Sequence, residues 1–125
     1  MERILGRFAP QFYALLRIVA GLLFACHGAQ KLFGVLGGQR ASLMTQMGLA
    51  GVIEFFGGLM IAVGAFTGVA AFIASGEMAV AYFQAHQPRG NFPIQNGGEL
   101  AALYCFLFLY IAARGNGTWS VQRGR

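Results

Sequence analysis

The chain has 125 residues, of which 57% are hydrophobic and only 10% are charged, and its mean hydropathy is +0.60. A soluble domain carries roughly 25% charged residues, so this composition leaves too little polar surface for a soluble fold and indicates a small membrane protein. The net charge is +5. Because the basic residues flank the apolar stretches and do not gather on one face, they fit anionic lipid headgroups and argue against a nucleic-acid partner.

Four apolar stretches predict four transmembrane helices in an all-α fold. The predicted helices cover about residues 8–31, 48–66, 68–86 and 98–114. We expect a single domain over residues 1–125, built as an antiparallel up-down four-helix bundle, with the second and third helices joined by a tight turn at Thr67. Between the first and second helices, Met44 and Met47 predict a short segment that lies at the membrane interface.

The basic residues also predict the orientation of the chain in the membrane, because cytoplasmic loops carry an excess of lysine and arginine. An even number of spans places both termini on one side. That side would hold five basic residues, namely Arg3, Arg7, Arg114, Arg123 and Arg125. The opposite side would hold three, namely Lys31, Arg40 and Arg89. The count therefore favours termini in the cytoplasm.

Four charged residues lie inside or at the edge of the apolar stretches, namely Arg17, Glu54, Glu77 and Glu99. A charge in hydrocarbon costs several kcal/mol unless it is paired, neutralised or hydrated. Each shares a helical face with glycine or alanine, which indicates that it points toward a neighbouring helix. Counting the helical rise places Arg17 level with Glu77 and one turn from Glu54, so we expect an ion pair between Arg17 and one of these glutamates, or a triad.

A second polar cluster is predicted at the outer ends of the helices. His27 and Lys31 are four residues apart, and therefore on one helical face, while His86 ends the third helix. Asn96 and Glu99 have the spacing of a capping box at the start of the fourth helix. The free N–H groups of that helix end could also bind a carbonyl oxygen or an anion.

The sequence offers little evidence for a metal, a haem or a redox disulfide. The two histidines, His27 and His86, do not belong to a closely spaced ligand set. Cys26 and Cys105 fall on helical faces that point away from the charged residues. We therefore expect no metal, no haem and no functional disulfide.

The combined pattern resembles the DoxX family along nearly the whole chain. The resemblance rests on His27-Gly28-x-x-Lys31-x-x-Gly34, Glu54-x-x-Gly57-Gly58, Glu77 with Ala79 and Tyr82, His86, Pro93-x-x-Asn96-Gly97-Gly98-Glu99, and Trp119-Ser120. One position departs from the pattern, since Gln122 stands where the family often has an aspartate. The resemblance implies a small four-helix protein of the bacterial inner membrane, associated with quinone oxidoreductases or with oxidative and thiol-stress complexes. It supplies no catalytic residues.

We therefore expect a quinone-interacting accessory subunit, not a complete enzyme, with the lipid bilayer and a redox protein as partners; a homo-oligomer stays open. The expected quinone site comprises Arg17, His27, Lys31, Glu54, Glu77, His86, Asn96 and Glu99. Two alternatives stay open as well. The polar residues could only hold the helices together in a non-catalytic scaffold, or Arg17 and Lys31 could bind an acidic sulfur or thiol metabolite in a small transporter.

Overall fold

The structure, a computed structural model, describes residues 1–122, which contain helices and turns but no strand. The α-helices are α1 (Glu2–Leu5), α2 (Ala9–Phe33), α3 (Gln46–Val52), α4 (Gly58–Val63), α5 (Thr67–Ala81), α6 (Pro93–Asn96) and α7 (Glu99–Arg114). The all-helical prediction is thus confirmed for the described residues. Arg123 and Arg125, which contribute to the predicted orientation, lie outside them.

Two of the helices contain a wide π-helical turn. The segment Ile53–Gly57 is π-helical and joins α3 to α4, so that one continuous helix runs from Gln46 to Val63. The segment Tyr82–His86 is π-helical as well and extends α5. Single π-helical turns inside α-helices are rare and occur frequently at functional sites, and both of these segments carry residues that the sequence predicts to be functional.

The helix boundaries agree with the predicted ones to within a few residues, and most differences have a local cause. The first helix reaches Phe33 because Gly34, with a φ of 68°, provides the left-handed C-cap. The second helix stops at Val63 because Gly64, with a φ of 79°, ends it in the same way. The predicted interfacial segment is not a separate helix. Met44 lies in an exposed loop, whereas Met47 lies in the first turn of α3.

Within residues 1–122, two helices are long and apolar enough to cross a membrane. They comprise residues Glu2–Phe33 and Gln46–Val63, which are 32 and 18 residues long. By comparison, α7 has 16 residues, fewer than the roughly 20 that a membrane span usually needs. By length and composition, the structure therefore provides two candidate membrane spans.

The first two long helices pack so closely that their backbones touch. A Cβ atom on Gly21 would lie 2.6 Å from the backbone nitrogen of Ala62, and one on Gly58 would lie 2.5 Å from the backbone nitrogen of Ala25. These glycines therefore allow a contact that no side chain would permit, as is common between membrane helices. Gly21 on α2 faces Ala62, whereas Ala25, which lies further along α2, faces the earlier residue Gly58. The two helices are therefore antiparallel.

The other two long helices, α5 and α7, form a second closely packed pair. Ser75 Oγ donates a hydrogen bond to the Cys105 carbonyl oxygen at 2.7 Å. Aromatic rings contribute to the contact between the two pairs, since the Phe24 ring lies 5.5 Å from Tyr104 and 4.7 Å from Phe108, measured between centroids. Phe24 also lines a cavity that lies between the two pairs.

Candidate functional site

A cavity of about 670 Å³ lies at the end of the molecule where α2 finishes and α7 begins. Its walls come from α2, the helix Gln46–Val63, α5 with its π-helical extension, and α7. Of the eight predicted site residues, five line it, namely His27, Lys31, Glu54, Glu77 and His86. Most of the remaining lining is apolar, from residues such as Phe24, Ile53, Ile73 and Val80. The structure thus brings most of the predicted polar site into one cavity.

Lys31 and Glu54 form an ion pair in the cavity wall. Lys31 Nζ lies 2.8 Å from Glu54 Oε1 and 2.7 Å from Oε2. The Glu54 side chain is 1% exposed, and that of Lys31 is 24% exposed. Glu54 lies in the first π-helical segment, and Gly51 on the same helix packs against the Lys31 stem. The charge of Glu54 is therefore compensated by a lysine on the neighbouring helix.

Glu77 is the uncompensated acid of the site. Its carboxyl group lies beside that of Glu54, and its Oε1 atom is buried without a hydrogen-bond partner among the described residues. Two carboxylates accept hydrogen bonds but cannot donate one, so a bond between them requires a proton on one of them. A buried acceptor without a donor costs about 1–3 kcal/mol. The site therefore contains a buried carboxyl oxygen whose hydrogen bond is unmet among the described residues, on a side chain that lines a mostly apolar cavity.

The two histidines lie toward the open end of the cavity. His27 is exposed and its ring approaches Tyr104 edge-on at 6.4 Å between centroids. His86 is half-buried, and its Nδ1 atom lies 3.3 Å from the Asn96 carbonyl oxygen. Both rings can donate or accept a hydrogen bond at the rim.

Asn96 and Glu99 do not form the predicted capping box. Asn96 is buried in the short helix α6, where its Nδ2 atom donates to Tyr82 Oη and to the Gly90 carbonyl oxygen, both at 3.1 Å. Its Oδ1 atom accepts from the Gly98 N–H. Glu99 is the first residue of α7 and is exposed. The prediction is wrong because the chain turns at Gly97, with a φ of 74°, before α7 begins. Asn96 thus supports the wall behind His86.

The predicted ion pair between Arg17 and a glutamate is also wrong. Arg17 is fully buried, and five backbone carbonyl oxygens surround its guanidinium group. They belong to Ile61, Ala62, Asn116, Thr118 and Trp119. Arg17 lies 14 residues before Lys31, which is about 21 Å along a helix, so it occupies the opposite end of the molecule from the cavity.

The prediction is wrong because residues 115–122, a segment that has no hydrophobic pattern, contribute to the environment of Arg17. These residues fold back toward Arg17 and supply three of its acceptors. Asn116 Oδ1 also accepts from the Thr67 N–H at 3.2 Å, and Gln122 Oε1 accepts from the Phe66 N–H at 2.6 Å. The segment and Arg17 therefore fasten the turn between α4 and α5. Gln122 provides the acceptor that an aspartate at this position would offer.

Several residues of the cavity are not among the predicted site residues. Tyr104 is almost fully buried and stacks on Phe108 at 5.2 Å with an interplanar angle of 3°. Their spacing of four residues on α7 is the signal that could have identified them. Gln46 Nε2 donates to Gln84 Oε1 across the cavity mouth, a contact between distant residues that no local pattern reveals. The cysteines are free thiols, and Cys105 packs beside Ser75.

Comparison with known proteins agrees with this description. The sequence model of the DoxX family matches residues 12–87, which is more than half of the chain and includes six of the eight predicted site residues. A protein of Haemophilus influenzae, described as uncharacterized, is 46% identical over 125 residues, covering 94% of this chain and 93% of that relative. No solved structure matches at comparable significance. With two apolar helices able to cross a bilayer, the chain is a membrane protein and belongs to the DoxX family.

Proposed function

We propose that this protein binds the ring of a quinone in the cavity and serves as an accessory subunit of a membrane oxidoreductase or of an oxidative or thiol-stress complex. In this proposal four helices cross the bacterial inner membrane, and both termini lie in the cytoplasm. The observation that carries the proposal is the Glu77 carboxyl group, which lines a mostly apolar cavity and whose buried Oε1 atom has no hydrogen-bond partner among the described residues.

The cavity has the size and lining that such a ligand requires. Its volume of about 670 Å³ lies inside the range of roughly 300–1,000 Å³ of small-molecule sites. Apolar and aromatic walls with a few polar groups suit a flat ring that has a carbonyl oxygen at each end. Phe24 and Tyr104 offer aromatic surface, and the polar groups lie on opposite helices.

Two hydrogen-bond donors are available inside the cavity. A neutral Glu77 carboxyl group has a single O–H donor. In this proposal a bound quinone accepts that hydrogen bond through a carbonyl oxygen in place of Glu54. The Lys31 ammonium group has three N–H donors, of which two suffice for the Glu54 oxygens, so that one remains for a ligand. At the rim, His27 or His86 can donate a hydrogen bond to the second carbonyl oxygen of the quinone.

The same groups suit the proton chemistry of a quinone. Reduction of a quinone to a quinol takes two electrons and two protons. In this proposal a partner redox protein supplies the electrons. Glu77 passes one proton to the carbonyl oxygen that it contacts and is reprotonated by water in the cavity, whereas the second proton comes from water at the rim, where His27 and His86 lie. The ion pair of Lys31 and Glu54 adds no net charge to the site.

The structure gives less support to the alternative of a transporter for an acidic metabolite. That alternative needs Arg17 and Lys31 as anion ligands, but Arg17 already has five carbonyl acceptors and lies outside the cavity. Lys31 keeps one N–H donor for a ligand, but its positive charge is already compensated by Glu54. The geometry thus favours a neutral ligand with hydrogen-bond acceptors.

The test is a quinone titration of the purified protein in lipid nanodiscs, with Glu77→Leu as the variant and Glu99→Leu as the matched control. Both variants replace a carboxyl group with an apolar side chain that has no hydrogen-bond donor, but Glu99 is exposed and outside the cavity. We expect Glu77→Leu to weaken binding about tenfold, the value of one lost hydrogen bond to a charged or strongly polar group, and Glu99→Leu to leave it unchanged.

The outcome that contradicts the proposal is equal binding by wild type and both variants, or no saturable binding by the wild-type protein. Circular dichroism and thermal unfolding of each variant show whether the helices are intact. Failure to bind in a folded wild-type protein would favour the scaffold alternative.

A further inference from the structure

One wall of the cavity has a gap on the outer surface of α5. Ile73, Gly76 and Val80 line the cavity and lie on one face of the helix, at spacings of three and four residues. Ile73 is 48% exposed and Val80 is 47% exposed, so each contributes both to the cavity and to the outer surface. Between them, Gly76 has no side chain, and a Cβ atom there would meet nothing within 4 Å.

The opposite edge of this gap is apolar as well. Leu49 of α3 also lines the cavity and is 59% exposed. Near the aqueous end, the hydrogen bond from Gln46 to Gln84 crosses between the same two helices. The polar end is therefore bridged, whereas the stretch below it is bordered only by apolar side chains and by Gly76.

We infer that this gap is a lateral opening to the bilayer, bounded by Leu49, Ile73, Gly76 and Val80, and that the ligand of the cavity carries a long apolar tail that lies in it. The inference rests on the proposed function and extends it from the ring to the chemical class of the whole ligand. A polar ring lies beside Glu77 and Lys31, while an isoprenoid tail leaves between α3 and α5 into the lipid.

The dimensions agree with such a ligand. From His86 to Ile73 the cavity wall covers 13 residues, or about 20 Å at the rise of a helix. Glu77 lies nine residues from His86 and only one turn from Ile73. A ring at Glu77 therefore has apolar surface on the side of Ile73 and Gly76, where a tail would be buried, and polar groups on the side of the rim.

Gly76 allows a direct test because a side chain can be added there without a clash. Gly76→Leu places a side chain in the lateral opening. Gly57→Leu is the matched control, since a Cβ atom on Gly57 also meets nothing within 4 Å and Gly57 does not line the cavity. Both variants replace glycine by a better helix former, and thermal unfolding checks that both remain folded.

The experiment titrates each protein in nanodiscs with two quinones that share one ring, a form with a decyl or isoprenoid tail and a form without a tail. We compare the variant-to-wild-type ratio of Kd for each ligand, because membrane partitioning cancels in that ratio. We expect Gly76→Leu to weaken binding of the tailed form about tenfold, equivalent to roughly two lost buried methylene groups, with little change for the tailless form. Gly57→Leu should change neither.

Three outcomes overturn the inference. An unchanged Kd of the tailed form in Gly76→Leu shows that the tail does not use this gap. An equal loss for both ligands shows that the substitution disturbs the ring site instead. In either case quinone binding by the wild-type protein leaves the proposed function standing. If the wild-type protein binds neither form, both the proposed function and the lateral opening are wrong.

Discussion

Lys31 Nζ lies within 2.8 Å of both carboxylate oxygens of Glu54, and the Glu54 side chain is 1% exposed. This ion pair joins α2 to the neighbouring helix beside the cavity. It also determines the charge of the site, because Lys31 compensates the negative charge of Glu54 and leaves the Glu77 carboxyl group uncompensated. The lysine therefore has both a structural and an electrostatic role.

Breaking this pair should destabilise the protein strongly. We expect Lys31→Met, which keeps most of the apolar stem, to lower the free energy of unfolding by about 3–5 kcal/mol, since it leaves a buried carboxylate without a partner. Unfolding by SDS titration in mixed micelles measures the change. The double variant Lys31→Met with Glu54→Gln should recover most of the loss. A single variant as stable as wild type would contradict this role of the pair.

Arg17 should act independently of the glutamates. Arg17→Met removes the donors of five carbonyl oxygens and should cost at least about 3 kcal/mol. In a double-mutant cycle with Glu77→Gln, we expect the two changes in unfolding free energy to add within about 0.5 kcal/mol. A coupling energy above about 1 kcal/mol would show that Arg17 and Glu77 interact after all.

The adjacent glycines Gly57 and Gly58 should respond in opposite ways to alanine. At Gly58 an added Cβ atom would lie 2.5 Å from the carbonyl oxygen of Gly21, so Gly58→Ala must push the helices apart. At Gly57 there is open space, and Gly57→Ala gains up to about 1 kcal/mol of helix propensity. Thermal unfolding of both variants tests the helix contact, and equal midpoints would contradict the observed packing.

The C-terminal segment should protect the turn before α5. Asn116→Ala removes the acceptor of the buried Thr67 N–H at 3.2 Å, and we expect faster hydrogen–deuterium exchange in residues 64–70 together with a loss of about 1–3 kcal/mol. Gln122→Glu keeps an acceptor for the Phe66 N–H and serves as the control. Unchanged exchange in Asn116→Ala would show that the segment does not hold the turn.

The sequence reveals the helices and the charged residues of the cavity because both depend on local patterns. Apolar stretches define the helices, and the cost of charge in an apolar environment singles out Glu54 and Glu77. The pairing of those charges depends on tertiary register. Counting residues along each helix separately predicts Arg17 as the partner of the glutamates. In the structure, the close glycine contacts between α2 and α4 set a register that brings Lys31 to Glu54. The long, flexible lysine side chain extends the distance over which this ion pair can form.

The partners of Arg17 illustrate a different limit. Backbone carbonyl oxygens exist at every residue, so sequence alone does not show which of them an arginine will contact. The acceptors come partly from residues 116–119, where Trp119 adopts a φ of 57° that is uncommon for a residue other than glycine. Such a turn depends on the packing around it.

The most direct test of the central claim is photo-crosslinking of the protein in nanodiscs with an azidoquinone, followed by mass spectrometry of the labelled peptides. The account predicts labels on the cavity walls, within residues 24–31 of α2 and residues 76–86 of α5 and its extension, and competition by unlabelled quinone. The Glu77→Leu variant should lose most of the label, and Glu99→Leu should keep it. Labels spread over the outer helix surfaces, without competition, would contradict a quinone site in this cavity.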